Sequence, residues 1–116
     1  MKEQIQTWLT EKMRVGGMLG CGIRCPDRRT FIRSGSAQFT PVALEHACRC
    51  LSDTFSVISS NRFPVQLVRW IYENYFVYGF IREDGHCLAV LTRRHEGSMQ
   101  ADDLETIVAE FHSLPI

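Results

Sequence analysis

The chain has 116 residues, with 13 Lys and Arg against 13 Asp and Glu and a formal net charge of zero. That describes a single domain spanning residues 1–116, without the long-range attraction to nucleic acid or anionic membrane that a basic chain would have. Hydrophobic residues make up 45% and charged residues 22%, which excludes the apolar-poor, charge-rich composition of a disordered chain.

The opening MKEQIQTWLTEKMRVG mixes both charge signs and lacks the apolar core of a signal peptide. The longest uncharged apolar run, Tyr75 to Ile81, is far shorter than the roughly 20 residues needed to cross a bilayer. The expected setting is therefore the cytoplasm. Five cysteines include no Cys-x-x-Cys spacing, and the four histidines show no ligand spacing. No cofactor or metal is expected.

Ile5, Trp8, Leu9 and Met13 recur at helical spacing and predict an amphipathic first helix that Gly16 and Gly17 end. From Met18 the period becomes two. Leu19, Cys21 and Ile23 alternate with Met18, Gly20 and Gly22, Cys25-Pro26-Asp27-Arg28-Arg29 supplies a turn, and Thr30 to Arg33 completes a β-hairpin. Thr40 followed by Pro41 opens a long middle helix. Its Leu44, Ala47, Cys48, Leu51, Phe55 and Ile58 form one apolar stripe, and Asn61 and Pro64 close it. Leu67 to Tyr72, Tyr75 to Arg82 and Cys87 to Thr92 form a three-stranded meander turning at Glu73-Asn74 and Glu83-Asp84-Gly85. Tyr75-Phe76-Val77-Tyr78 and Leu88-Ala89-Val90-Leu91 are apolar on both faces, so the sheet is expected to be covered on both sides. Ala101, Leu104, Ile107, Val108 and Phe111 mark a last helix with Asp102 and Asp103 at its positive end, stopped at Pro115.

This order of elements resembles the Roadblock / dynein light chain superfamily, within the profilin-like and longin-like group, over nearly the whole chain. The segments Gly17-Met18-Leu19-Gly20-Cys21-Gly22-Ile23 and Phe80 to Leu91 carry the likeness. Two departures stand out: Cys25-Pro26-Asp27-Arg28-Arg29 replaces the family's usual Asp-Gly turn, and Gly97-Ser98-Met99-Gln100 replaces its Asn-Leu-Gly. The resemblance implies an α+β fold, α-β-β-α-β-β-β-α, with a five-stranded antiparallel sheet, the long middle helix on one face and the two terminal helices on the other. It further implies homodimers or heterodimers joined by the middle helices and the following strand, and a role as regulator, scaffold or activator of small Ras-like GTPases, or as a dynein-associated light chain, in place of catalysis.

The residues offer weak support for chemistry. Glycines 16, 17, 20 and 22 suggest a phosphate-binding loop, but such a loop opens a helix, and here a strand follows; close packing of another element on the strand is the competing reading. Cys87 and His86, as strand neighbours, point to opposite faces and form no nucleophile-base pair. Arg24, Arg28, Arg29 and Arg33 crowd the first hairpin and form a candidate partner-binding group; an acidic protein, nucleic acid and plain solvation are three readings of it.

The middle helix carries the more informative pattern. Ala43, Cys50 and Val57 repeat every seven residues with Thr54 on the same flank, rotated roughly 60° to 120° from the core stripe. A second copy of the helix alongside, or a widened core stripe, accounts for this. The strand after it, with Leu67, Arg69, Trp70 and Ile71, has few of the charges that protect a sheet edge; Arg69, Arg62 and Glu73 are its guards. These eight residues, four on the helix and four on the strand, form the expected dimer interface, with a homodimer or a Roadblock-like heterodimer equally compatible. The alternative function is a PAS- or profilin-like small-molecule sensor with a pocket between sheet and helix.

Overall fold

The structure, a computed structural model, describes residues 2–60 and 65–116. The elements are α1 (Lys2–Lys12), β1 (Met18–Arg24), β2 (Thr30–Ser34), α2 (Pro41–Ser60), β3 (Leu67–Ile71), β4 (Tyr75–Ile81), β5 (Cys87–Arg93) and α3 (Ala101–Ser113). The expected element order and α+β fold class therefore hold. Asn61 and Pro64, expected to close α2, and Arg62, expected to guard β3, lie outside the described residues.

The five strands form one antiparallel sheet in the order β2-β1-β5-β4-β3. β1 and β5 are buried along almost their whole length because helices cover both faces. On one face Ile5, Trp8 and Leu9 of α1 and Ile107 and Phe111 of α3 pack against Cys21, Ile23, Leu88 and Val90. On the other, Leu44, Cys48 and Leu51 of α2 pack against Val77, Ala89 and Leu91. Thr40 caps α2 as expected, its Oγ1 accepting the Ala43 N–H at 3.2 Å, and Pro41 takes the first helical position, where a missing N–H costs nothing.

α2 sits close to the sheet because glycines lie beneath it. A Cβ on Gly22 would stand 2.7 Å from Cys48 Sγ and 2.9 Å from Ile32 Cγ2; one on Gly79 would overlap Leu51 Cδ2 and stand 3.2 Å from its Cγ. Any side chain at either position would have to displace the α2 side chain above it.

Three expectations are corrected. The first helix ends at Lys12, before Gly16, and a turn carries the chain to β1. Leu19 does not share a face with Cys21 and Ile23: the β1–β5 register shifts between Met18 and Gly20, a bulge that places Leu19 in the α2 core. The sheet is not covered throughout on both faces, since Leu67, Arg69 and Ile71 of β3 are exposed on the side of the terminal helices and Phe76 and Tyr78 of β4 only half-buried. Two terminal helices of 11 and 13 residues are too narrow to roof five strands, each helix being about 10 Å wide against roughly 4.8 Å per strand.

Candidate interaction surface

On α2, the core stripe is buried at Leu44, Cys48, Leu51 and Phe55, whereas Ala43, Cys50 and Val57 are exposed and Thr54 is half-buried, its hydroxyl donating to the Cys50 carbonyl at 2.8 Å. The direction in which this flank leans follows from two neighbours. Leu51 lies over Gly79 of β4 beside Val68 of β3. Ser52, about 100° further round the helix, lies near enough to the Cys87 thiol of β5 to favour its charged form against burial. Rotation in that sense leads away from β3. Cys50, about 100° the other way, together with Ala43, Thr54 and Val57, therefore leans towards β3.

β3 is an edge strand. Leu67 is 52% exposed and Ile71 55%, while Trp70 and Val68 are half-buried on the α2 side of the sheet. The Tyr72 N–H donates to Tyr75 O, and Gln66 O accepts from the Ile81 N–H. Because antiparallel backbone groups alternate in direction, the N–H and C=O groups of Leu67, Arg69 and Ile71 face outward, away from β4. The helix flank and the unpaired strand edge thus share one side of the molecule.

The hairpin arginines do not form one patch. Arg24 is on the α2 face, donating to Thr30 Oγ1 at 3.0 Å. Arg29 pairs with Asp27 at 2.7 Å; the Arg29 backbone N–H bonded to Asp27 Oδ1, more than the guanidinium, holds that carboxyl below its ordinary range. Arg28 is exposed at the tip with φ of 74°, a left-handed conformation that costs a non-glycine residue roughly 1–2 kcal/mol; it occupies the turn position after Asp27 where an Asp-Gly turn would place glycine. Arg33 is on the other face, donating to Thr10 Oγ1 of α1 at 3.0 Å.

Gly20 and Gly22 face Leu44 and Cys48 of α2 and open no helix, so they are packing glycines and no phosphate loop. Burial pushes the Cys21 and Cys48 thiols up to about 12; Cys25 and Cys87 are also raised by burial, and Cys50 is the exposed cysteine. Among the described residues no group of three or more His, Cys, Asp or Glu is placed to hold a metal ion, and no helix is long and apolar enough to cross a membrane.

Two features carry no signal in the sequence. Arg82, half-buried at the end of β4, donates to the carbonyls of Phe111 and Leu114 at 2.9 and 3.0 Å and pairs with Asp84 at 2.6 Å, fastening the carboxyl end of α3. Arg69 and Arg94 both lie over the Phe76 ring, at 5.1 and 5.6 Å from its centroid. Arg94 follows β5 in sequence and Arg69 is on β3, so no local spacing announces their meeting.

No family model matches the sequence, and no curated protein matches it. Solved structures do. The fold is similar to a Roadblock/LC7 domain from Streptomyces avermitilis, with 18% identity and a TM-score of 0.69 over 97% of this chain and 92% of that one. It is also similar to Myxococcus xanthus MglB, with 6% identity and a TM-score of 0.70 over 96% of this chain and 86% of that one. A third neighbour is the gliding protein mglB from Thermus thermophilus, with 10% identity and a TM-score of 0.62 over 93% of this chain and 82% of that one. The property shared at these identities is the architecture: this chain has the Roadblock/LC7 fold.

Proposed function

We propose that this protein is a non-catalytic interaction module that pairs through α2 and β3, with its own copy or a Roadblock-like partner, and regulates or scaffolds a small Ras-like GTPase in the cytoplasm. The observation that carries the reading is that the exposed flank of α2 and the unpaired edge of β3 lie on one side. A single two-fold axis then serves both. It sets α2 beside its symmetry copy and pairs β3 with its copy, removing an edge that would otherwise template aggregation. In that arrangement Ala43 meets Val57 across the axis and Cys50 lies near it. The Roadblock/LC7 and MglB neighbours share this fold. Five free thiols, four of them buried, suit a reducing compartment.

The alternative sensor reading needs space between sheet and helix, whereas Leu51 and Cys48 rest directly on Gly79 and Gly22.

Sedimentation velocity at micromolar concentration tests the pairing: the wild-type chain runs as a dimer, and Val57→Asp or Trp70→Lys yields monomers or aggregates. A stable wild-type monomer rejects self-pairing. Pull-down of a Ras-like GTPase encoded beside this chain, loaded with GDP or a GTP analogue, tests the partner; retention that depends on the nucleotide supports regulation, equal retention supports scaffolding, and none in either state rejects the GTPase.

A further inference from the structure

The strip of sheet left open beside α3 has a chemistry of its own, on the face of the sheet opposite α2 and adjoining the β3 edge. Its floor is Phe76 and Tyr78 of β4, half-buried, continuing to exposed Leu67 and Ile71 of β3. Between this floor and α3 lies a cleft of about 290 Å³, lined in part by Tyr78, Met99 and Leu104. That volume is at the lower limit of small-molecule pockets, roughly 300–1,000 Å³, and suits one bulky side chain better than a metabolite.

Charge at the strip is one-sided. Arg69 and Arg94 flank Phe76. Arg94 Nη1 donates to Tyr72 O at 2.8 Å, and neither arginine has a carboxylate partner among the described residues. A guanidinium over an aromatic face keeps donors at its rim, which match a carboxylate in two-pronged fashion. Arg93 adds a third cation to the cleft lining, against Glu105 as its acid. The molecule as a whole has no net charge, so attraction here is local.

We propose that this strip docks an acidic peptide segment of a partner protein, its carboxylates on Arg69 and Arg94 and one bulky apolar side chain in the cleft against Tyr78, Met99 and Leu104. Positive charge over an aromatic floor selects acidic and apolar residues in alternation, as an extended segment presents them.

The test is fluorescence anisotropy of a fluorescein-labelled dodecapeptide of alternating Glu and Leu with a central Trp, titrated with the full chain. Its counterpart with Lys in place of every Glu and a dodecamer of oligothymidylate serve as comparison probes. The Glu peptide binds and weakens with salt, and the other two do not bind. Arg94→Glu lowers affinity about tenfold or more, the loss expected for one charge-assisted contact. Glu105→Gln, an exposed change that keeps the fold, raises affinity about two- to threefold by removing a like charge. Arg49→Glu, on the α2 face, changes nothing. Methyl resonances of Met99 and Leu104 shift on binding. Sedimentation of Arg94→Glu at the wild-type position separates loss of this site from loss of self-pairing, because Arg94 is outside both α2 and β3. Binding of the Lys peptide or the oligonucleotide with equal affinity, an unchanged affinity for Arg94→Glu, unmoved methyl resonances, or no binding of the Glu peptide overturns the proposal.

Discussion

Gly79→Ala tests the placement of α2 directly. The new methyl would overlap Leu51 Cδ2 and stand 3.1 Å from Val68 Cγ2, and Leu51, only 2% exposed, would have to shift within the core. Overpacking of this kind costs roughly 1–3 kcal/mol, partly offset by the ~0.4–1 kcal/mol gained when a glycine leaves the unfolded chain; a net loss of about 1–2 kcal/mol is expected. Leu51→Ala alone opens a cavity and costs roughly 2–5 kcal/mol. Together the two changes exchange volume across one contact, so the double variant recovers at least about 1 kcal/mol relative to the sum, a coupling typical of touching residues. Urea unfolding followed by far-UV circular dichroism reads all four proteins. With a slope of about 2 kcal/mol/M for a chain of this size, Gly79→Ala lowers the midpoint by about 0.5–1 M. Protein concentration is held constant because self-association would add to apparent stability. Additivity within about 0.5 kcal/mol would show that Leu51 does not rest on Gly79 and would refute the close-packing argument.

Arg82→Ala removes three contacts made by one half-buried guanidinium; we expect a loss of about 2–3 kcal/mol and faster amide exchange in the last turn of α3, with Arg82→Lys recovering only part because one ammonium nitrogen cannot reproduce the fork in which Nη1 serves both carbonyls while Nη2 serves Asp84. Glu110 sits below its ordinary pKa because Lys12, at 2.6 Å, and then Trp8, through Nε1 at 2.9 Å, bond its carboxylate. Its contribution is therefore present above the unfolded value of 4.5 and is lost as pH falls through the lower folded value; acid titration of Trp8 fluorescence should flatten in that window for Glu110→Gln, and an unchanged curve would contradict the pairing. With four thiols buried and Cys50 exposed on the single chain, an aromatic disulfide reagent should react rapidly with one thiol per chain in the Val57→Asp variant and more slowly in the self-paired wild type, Cys50→Ser should abolish that phase, and a short bis-maleimide should link two copies through Cys50 if α2 pairs with its symmetry copy. Rapid reaction of a second thiol would overturn the burial pattern.

Much of the fold is legible in sequence because helix and strand periods are local properties. The stripe from Leu44 to Ile58, the Thr40-Pro41 start and the apolar runs of β4 and β5 each announce their element within a few residues. The apolar spacing overstates the first helix, since Met13 continues it after the backbone has left the helix at Lys12. The Leu19 bulge is invisible because a register shift belongs to a strand pair, here β1 with β5, and no single strand encodes it.

The candidate surface divides in the same way. The seven-residue repeat of Ala43, Cys50 and Val57 and the thin protection of Leu67 to Ile71 can be read from local spacing and composition. That these two features face the same side depends on which strand lies under Leu51 and which under Ser52. The dispersal of the hairpin arginines depends on strand direction, which sends Arg33 to α1 and Arg24 to the opposite face. The convergence of Arg69 and Arg94 on Phe76 depends on the order of three strands. The sequence by itself determined the elements, their order and the apolar faces they had to bury. Only the tertiary structure decided which surfaces stayed open, because exposure is set by how wide the roofing helices are against the sheet and by which residues, distant in sequence, the strand order brings together.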